Sequence, residues 1–252
     1  MKLIASAVVC ALAAAGCMTD VEPELSTADT NVEIPNRLAA NRLAANRLAA
    51  NRLASAQLTA TAPDLVAMGA DPGGLELLSY IISCAEPPGY SITVNNTVLT
   101  GDVGLAPNWP TRALTIAERK WVSACLLARV NYFGVSVLIS MRTTSGELST
   151  AAAERKNFTL VEGAFWGDVF TGDQPMVMNA CRSNYKATNP QVSTMPKREC
   201  TVPDPLVPGS TRCGFAAKGA CETTCTNQLN GDRFSYCSGG ATEVITVSLA
   251  KP

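Results

Sequence analysis

The sequence predicts an α+β fold: a single disulfide-stapled domain in which one long helix packs against an antiparallel sheet, preceded by a disordered tether. Three observations lead there. A helical stretch opens at Thr115 on a capping box, several short segments alternate apolar and polar residues, and eight cysteines follow a repeat whose period suits neither helix nor strand.

In chain order the first element is an export signal. Lys2 precedes an apolar run over residues 3–15 and Gly16-Cys17 closes it, the layout of a secretory signal too short to span a bilayer as a helix. Ala14-Ala15-Gly16-Cys17 resembles the bacterial lipobox, whose small residues admit the peptidase and whose cysteine is acylated before cleavage. The lipobox usually carries Leu three residues before its cysteine, where this chain has Ala14, with Leu12 further back. The expectation is a signal over 1–16, lipidation at Cys17 and a place outside the cytoplasm. Met18 rather than Asp follows Cys17, which by resemblance to bacterial sorting rules implies the outer membrane.

Removing the signal takes Lys2 from the 20 Lys and Arg and leaves the 21 Asp and Glu, a net charge near −2. No basic field is present to hold nucleic acid. The chain contains no His, which excludes Ser-His-Asp hydrolases, Cys-His proteases and histidine-ligated metals. With Cys17 given to lipid and Cys10 in the signal, the cysteines left are Cys84, Cys125, Cys181, Cys200, Cys213, Cys221, Cys225 and Cys237. An even number in an exported protein reads as four disulfides, with the pairing left open. A zinc site built on Cys221 and Cys225 is the rival; an oxidising compartment and a spacing that is not CxxC favour disulfides. Neither metal nor cofactor is expected.

Residues 17–60 read as a lipid-anchored flexible tether. Its first part carries Asp20, Glu22, Glu24, Asp29 and Glu33, and then the unit Asn-Arg-Leu-Ala-Ala repeats from Asn36, Asn41, Asn46 and, in altered form, Asn51. On one helix each Leu would be turned by ~140° from the last, and on a strand successive Leu would face opposite sides. The expectation is a spacer reaching about 35 Å as a random coil. The alternative is that its arginines engage anionic lipid or the acidic segment before them.

These NRLAA units after a lipobox, with a cysteine-containing C-terminal domain, resemble a class of uncharacterised predicted lipoproteins of myxobacterial type. WVSACLLARVNYFGVSV at 121–137 and EGAFWGDVF at 162–170 also look like segments of that class. The resemblance implies a membrane-anchored envelope protein and brings no activity.

Residues 61–252 are long enough for one core. A helix is expected at residues 75–84, ending before Glu86-Pro87-Pro88-Gly89. The longest helix is expected from Thr115 to the stop at Gly134, with Ile116, Trp121, Ala124, Cys125, Leu127, Ala128 and Tyr132 on its buried side and a Cys125 disulfide pinning it. Strands are expected at 135–142, 158–165 and 243–249, and more weakly at 90–99. The stretch 184–240 is rich in Pro, Gly, Thr and Cys and depends on cross-links for its order.

Chemistry without His falls to carboxylates. Glu162, among apolar and aromatic residues, could act as a general acid beside Asp168 or Asp173, the arrangement of a carboxylate-based hydrolase. The plainer reading pairs Glu162 with an arginine such as Arg129 or Arg142 and leaves the chain without catalysis. Trp166 with Phe165 and Phe170 could stack on a sugar face, Asp168 and Asn179 contacting its hydroxyls. Gly69-Ala70-Asp71-Pro72-Gly73-Gly74 lacks the Lys of a phosphate loop and reads as a turn. The functional expectation is a binding or scaffolding module at the cell envelope, with a glycan or a protein as partner.

Overall fold

A six-stranded sheet divides the chain into a helical layer on one face and a disulfide-rich layer on the other. The computed structural model describes residues 31–32, 38–134, 136–143, 148, 152–172, 174–183, 198–228 and 232–250. Cys17 and the rest of the signal lie outside them. The sheet is formed by β1 (Asn31–Val32), β4 (Ile139–Arg142), β10 (Ile245–Leu249), β5 (Leu160–Asp168), β6 (Val177–Arg182) and β7 (Ala216–Ala220), in that spatial order. Two hairpins stand apart, β2 (Ser91–Val94) with β3 (Thr97–Thr100) and β8 (Thr226–Gln228) with β9 (Arg233–Ser235). The fold is α+β, but the sheet is mixed: β6 and β7 run parallel, because the long excursion between them brings the chain back to the edge in the same direction.

The helices are α1 (Ala40–Ala45), α2 (Arg47–Ala54), α3 (Pro63–Ala70), α4 (Pro72–Ala85), α5 (Ile116–Arg129), α6 (Ala152–Asn157) and α7 (Cys221–Thr224). The expected single long helix is therefore two, since α4 and α5 have 14 residues each. The turn at Asp71 starts α4: its Oδ2 accepts the Gly74 N–H at 2.7 Å, and Pro72 fills the first helical position. Leu77, Leu78, Tyr80, Ile81 and Ile82 are all buried, so α4 is apolar nearly all round and runs through the core. Cys84 and Cys125 join it to α5.

The capping box of α5 forms as the sequence predicts, Thr115 Oγ1 accepting from Glu118 N and Glu118 accepting from Thr115 N. Its bounds and face differ from expectation. Ile116 is 64% exposed and Tyr132 53% exposed, while Val122 to Arg129 are all buried. The first turn projects past the packed layer. The helix stops at Arg129 because Val130 turns extended, bridging Leu38 in parallel, and Asn131 N–H donates to Leu38 O.

That bridge belongs to the repeat, and here the tether reading is corrected. Within the described residues the repeat forms α1 and α2, and Leu38, Leu43 and Leu53 are at most 3% exposed, with Leu48 alone at 46%. The ~140° rotation holds for one unbroken helix. At Asn46 the chain leaves helical geometry, its Nδ2 and N–H both donating to Arg42 O, and the phase is reset. Leu53 then lies beside Ala50 and Ala54 on one buried face, at i, i+3 and i+4. The repeat arginines pair locally, Arg52 with Asp64 at 2.7 Å and Arg42 with Glu76 at 3.6 Å. Ala54 O accepts from Leu114 N, which stitches the repeat to the segment before α5.

All eight expected cysteines are paired: Cys84–Cys125, Cys181–Cys221, Cys200–Cys213 and Cys225–Cys237. Cys221 and Cys225 go to different partners. Six of the eight gather around the C-terminal half, where a second small core forms from Ala164, Trp166, Phe234 and Val244. Among the described residues no helix is long and apolar enough to cross a membrane.

Candidate functional site

β5 and β6 are antiparallel with Trp166 opposite Asn179 and Asp168 opposite Val177. Side chains alternate along each strand, so Trp166, Asp168 and Asn179 share the face toward the disulfide-rich layer. They line a cleft of about 210 Å³ that Lys120 of α5, the turn at Ser238–Gly240 and Glu243 complete. The turn is held by the Cys225–Cys237 disulfide and by Cys237 N–H donating to Ala241 O. Gly239 and Gly240, at φ +83° and +73°, supply a left-handed pair that a side chain would strain.

The polar groups of this cleft differ in how they are used. Asp168 is committed: Oδ1 accepts from Phe170 N at 2.9 Å, and Oδ2 meets Arg119 Nη2 at 3.3 Å. The side chains of Lys120, Asn179 and Glu243 make no hydrogen bond or ion pair to any described residue. Asn179 is only 8% exposed and lines the opening. A cation, an amide and a carboxylate thus converge without protein partners.

The sequence-derived candidates separate. Trp166, Asp168 and Asn179 come together. Phe165 and Phe170 do not: both are fully buried, Phe165 edge-on to Phe215 at 6.1 Å in the main core. Trp166 is itself 2% exposed, so it offers an edge rather than a ring face to the cleft. Strand alternation sends Phe165 to the opposite face, an outcome the run Phe165-Trp166 conceals when read as one aromatic patch.

Glu162 is fully buried and accepts from Arg198 Nη1 at 2.9 Å; Arg198 also donates to Ala128 O and Val130 O at the end of α5. Burial holds the Arg198 guanidinium below its usual range, and Glu162 offsets part of that. The arginine pairing expected of Glu162 is present, with Arg198 in place of Arg129 or Arg142. Arg129 instead meets Asp102 and Ser83, and Arg142 meets Asp232. Six residues of strand separate Glu162 from Asp168, about 20 Å at ~3.3 Å per residue, whereas paired glycosidase carboxylates stand about 5–9.5 Å apart. Asp173 lies outside the described residues. Ser123 serves the fold, donating to Arg119 O and accepting from Val169 N.

Of the buried acids that the sequence reading does not name, Glu86 stands out. Glu86 is 1% exposed and neither carboxylate oxygen has a hydrogen-bond partner. Burial first, and the charge of Glu118 second, push its pKa up to about 7. Glu118, by contrast, is held down to about 2, chiefly by Arg112, which clamps both of its oxygens at 2.7 Å. A Glu at a helix end before Pro-Pro-Gly carries no sequence signal of burial, since the loop 101–106 that covers it is distant in sequence and folds back by hydrogen bonds such as Asp102 N–H and Gly104 N–H to Glu86 O.

Among the described residues no group of three His, Cys, Asp or Glu side chains could hold a metal ion. Comparison with protein-family models, with curated proteins and with solved structures finds no match to this chain.

Proposed function

We propose that this chain is an exported cell-envelope lipoprotein, anchored through Cys17 to the outer membrane, whose stapled domain is a binding or scaffolding module for a small polar group such as one sugar unit of an envelope glycan. The observation that carries the binding role is the cleft in which Lys120, Asn179 and Glu243 converge unspent beside the edge of Trp166. Cooperatively placed donors and acceptors around one apolar edge are the usual makeup of a small-molecule site. At about 210 Å³ it is smaller than drug-sized sites of roughly 300–1,000 Å³, which suits a single ring rather than an extended chain. Export is supported by the signal-like N-terminus and by the use of eight cysteines in disulfides. The hydrolase alternative is the less favoured reading, since Glu162 is fully buried in an ion pair with Arg198.

The test is a titration of the oxidised chain from Met18 onward with solubilised peptidoglycan fragments and outer-membrane polysaccharide, followed by the indole N–H signal of Trp166 in NMR. Saturable movement of that signal, lost in Asn179→Ala and in Glu243→Ala with the disulfides intact, is the expected result. A Trp166 signal that moves with none of them rules out the glycan.

A further inference from the structure

A second pocket lies on the other face of β6. β6 pairs with β7 in parallel, Ala180 with Ala217 and Arg182 with Ala220, so β7 carries one residue more than β6 between the two pairs. That extra residue is a bulge at Lys218-Gly219, where Gly219 takes φ +77°. The spread opens a pocket of about 190 Å³ floored by Ala180, Ala217, Ala220 and Pro203, with Arg182 and Thr201 on its wall.

Two polar groups there lack any use in the fold. The Arg182 side chain makes no hydrogen bond or ion pair to a described residue, and its Nε–H is buried without a partner. The Thr201 hydroxyl, in a residue only 3% exposed, is likewise buried and unpartnered. A buried donor left unmade costs about 1–3 kcal/mol; Arg119, Arg129, Arg198 and Arg233 also leave Nε unpaired, and what distinguishes Arg182 and Thr201 is that both border one pocket. Ser183, the other polar residue there, donates to Glu222 at 3.2 Å, so among the described residues Arg182 is the one charged side chain of the lining. The walls are fixed: Arg182 follows Cys181, Ala220 precedes Cys221, and Thr201 follows Cys200, and these cysteines are all in disulfides.

We infer that this pocket binds a carboxylate borne on a short apolar stem, with Arg182 forking onto the carboxylate, the Thr201 hydroxyl donating to it, and the alanine floor taking the stem. The planar guanidinium matches a carboxylate with two parallel hydrogen bonds. A floor of three alanines and a proline admits a methyl or ethyl group and offers nothing to the further oxygens of a phosphate or sulfate. The same chemistry occurs in a free short-chain acid and in the C-terminal alanine of a peptide.

The oxidised chain from Met18 onward is titrated calorimetrically with propionate, with N-acetyl-alanyl-alanine and with inorganic phosphate. Saturable binding of propionate or of the dipeptide is expected, and the tighter of the two identifies the source as a free acid or a peptide end. Arg182→Lys keeps the charge but not the fork and is expected to weaken binding about tenfold; Arg182→Gln is expected to abolish it. Thr201→Val is expected to weaken it several-fold while raising the urea midpoint, since it removes a buried unpartnered hydroxyl. Failure of both carboxylates to saturate overturns the inference, as does equal binding by wild type and Arg182→Gln. Phosphate binding more tightly than both carboxylates overturns the ligand class. Asn179→Ala, on the opposite face, is expected to leave this binding unchanged, which keeps the result separate from that of the Trp166 cleft.

Discussion

Replacing Leu53 by Ala tests whether the repeat is part of the folded domain. Leu53 is 1% exposed, packed with Ala50 and Ala54, and tied through Ala54 O to Leu114 N. Leu→Ala at such sites costs about 3–5 kcal/mol, combining lost transfer energy with the cavity left behind. Leu48 occupies the same place in the preceding unit, yet is 46% exposed, and its truncation is expected to change stability by less than about 0.5 kcal/mol. Both variants of the oxidised chain from Met18 onward are unfolded in urea and compared at fixed slope. A pendant spacer requires that the two substitutions be alike and near neutral. Equal midpoints would refute the packing argument, and so would a loss at Leu48 matching that at Leu53. The same reasoning forbids a chain cut at residue 61. It discards Leu38, Leu43, Leu53 and Leu58, all buried, each worth about 1.5–3 kcal/mol against a total stability of about 5–15 kcal/mol.

Glu86 sets a pH dependence of unusual sign for a carboxylate. Its folded pKa is raised from 4.5 to about 7, so its contribution is fully present below pH 4.5 and is lost as pH rises through about 7. Glu86→Gln is expected to remove that slope and add about 3 kcal/mol at pH 8 relative to pH 4, measured as the difference between urea midpoints at the two values. A wild-type midpoint rising steadily from pH 4.5 to 8 contradicts it. Glu162→Ala leaves the Arg198 charge buried without its partner and is expected to cost about 3–5 kcal/mol; a near-neutral thermal midpoint would show that the pair is dispensable. Cys17→Ser is expected to abolish incorporation of labelled fatty acid during expression and to release the protein from membranes, and retained label refutes the lipobox assignment.

The elements that local chemistry specifies were legible in the sequence. The α5 start is written in Thr115 and Glu118, because a capping box uses residues three positions apart, whereas Asp71-Pro72 reads as a turn and the α4 start is expected only at residue 75. The alternating strand β10 was legible for the same reason as the α5 start. What escaped depends on pairing across distance. β6 and β7 are built around Ala180, Ala216 and Ala217, with no β-branched pattern to announce them. The repeat was misread because a strict five-residue period was carried through Asn46, where a single departure from helical geometry rescues the leucines. Of the candidate site, Trp166, Asp168 and Asn179 were nameable. Lys120 and Glu243 were not, since each is an ordinary surface residue until the Cys225–Cys237 turn and α5 bring them to one opening.

β6 explains why a domain of this size needs its staples where they stand. Asn179 faces one pocket, Ala180 and Arg182 face the other, and Cys181 between them is disulfide-bonded to Cys221. An edge pairing held by a short parallel strand of Ala, Lys and Gly gains little from side-chain packing, and a bulge weakens its ladder further. Left to hydrogen bonds alone, β7 would fray and both pockets would lose a wall or its support. The disulfide closes that edge from the centre of β6, on the face that carries Asn179 and Trp166. Cys200–Cys213 and Cys225–Cys237 fix the opposite wall of each pocket in turn. Rigidity of this kind suits recognition of small groups by a few fixed donors, because little ordering remains to be done on binding. It suits poorly a reaction that must close a lid and expel water.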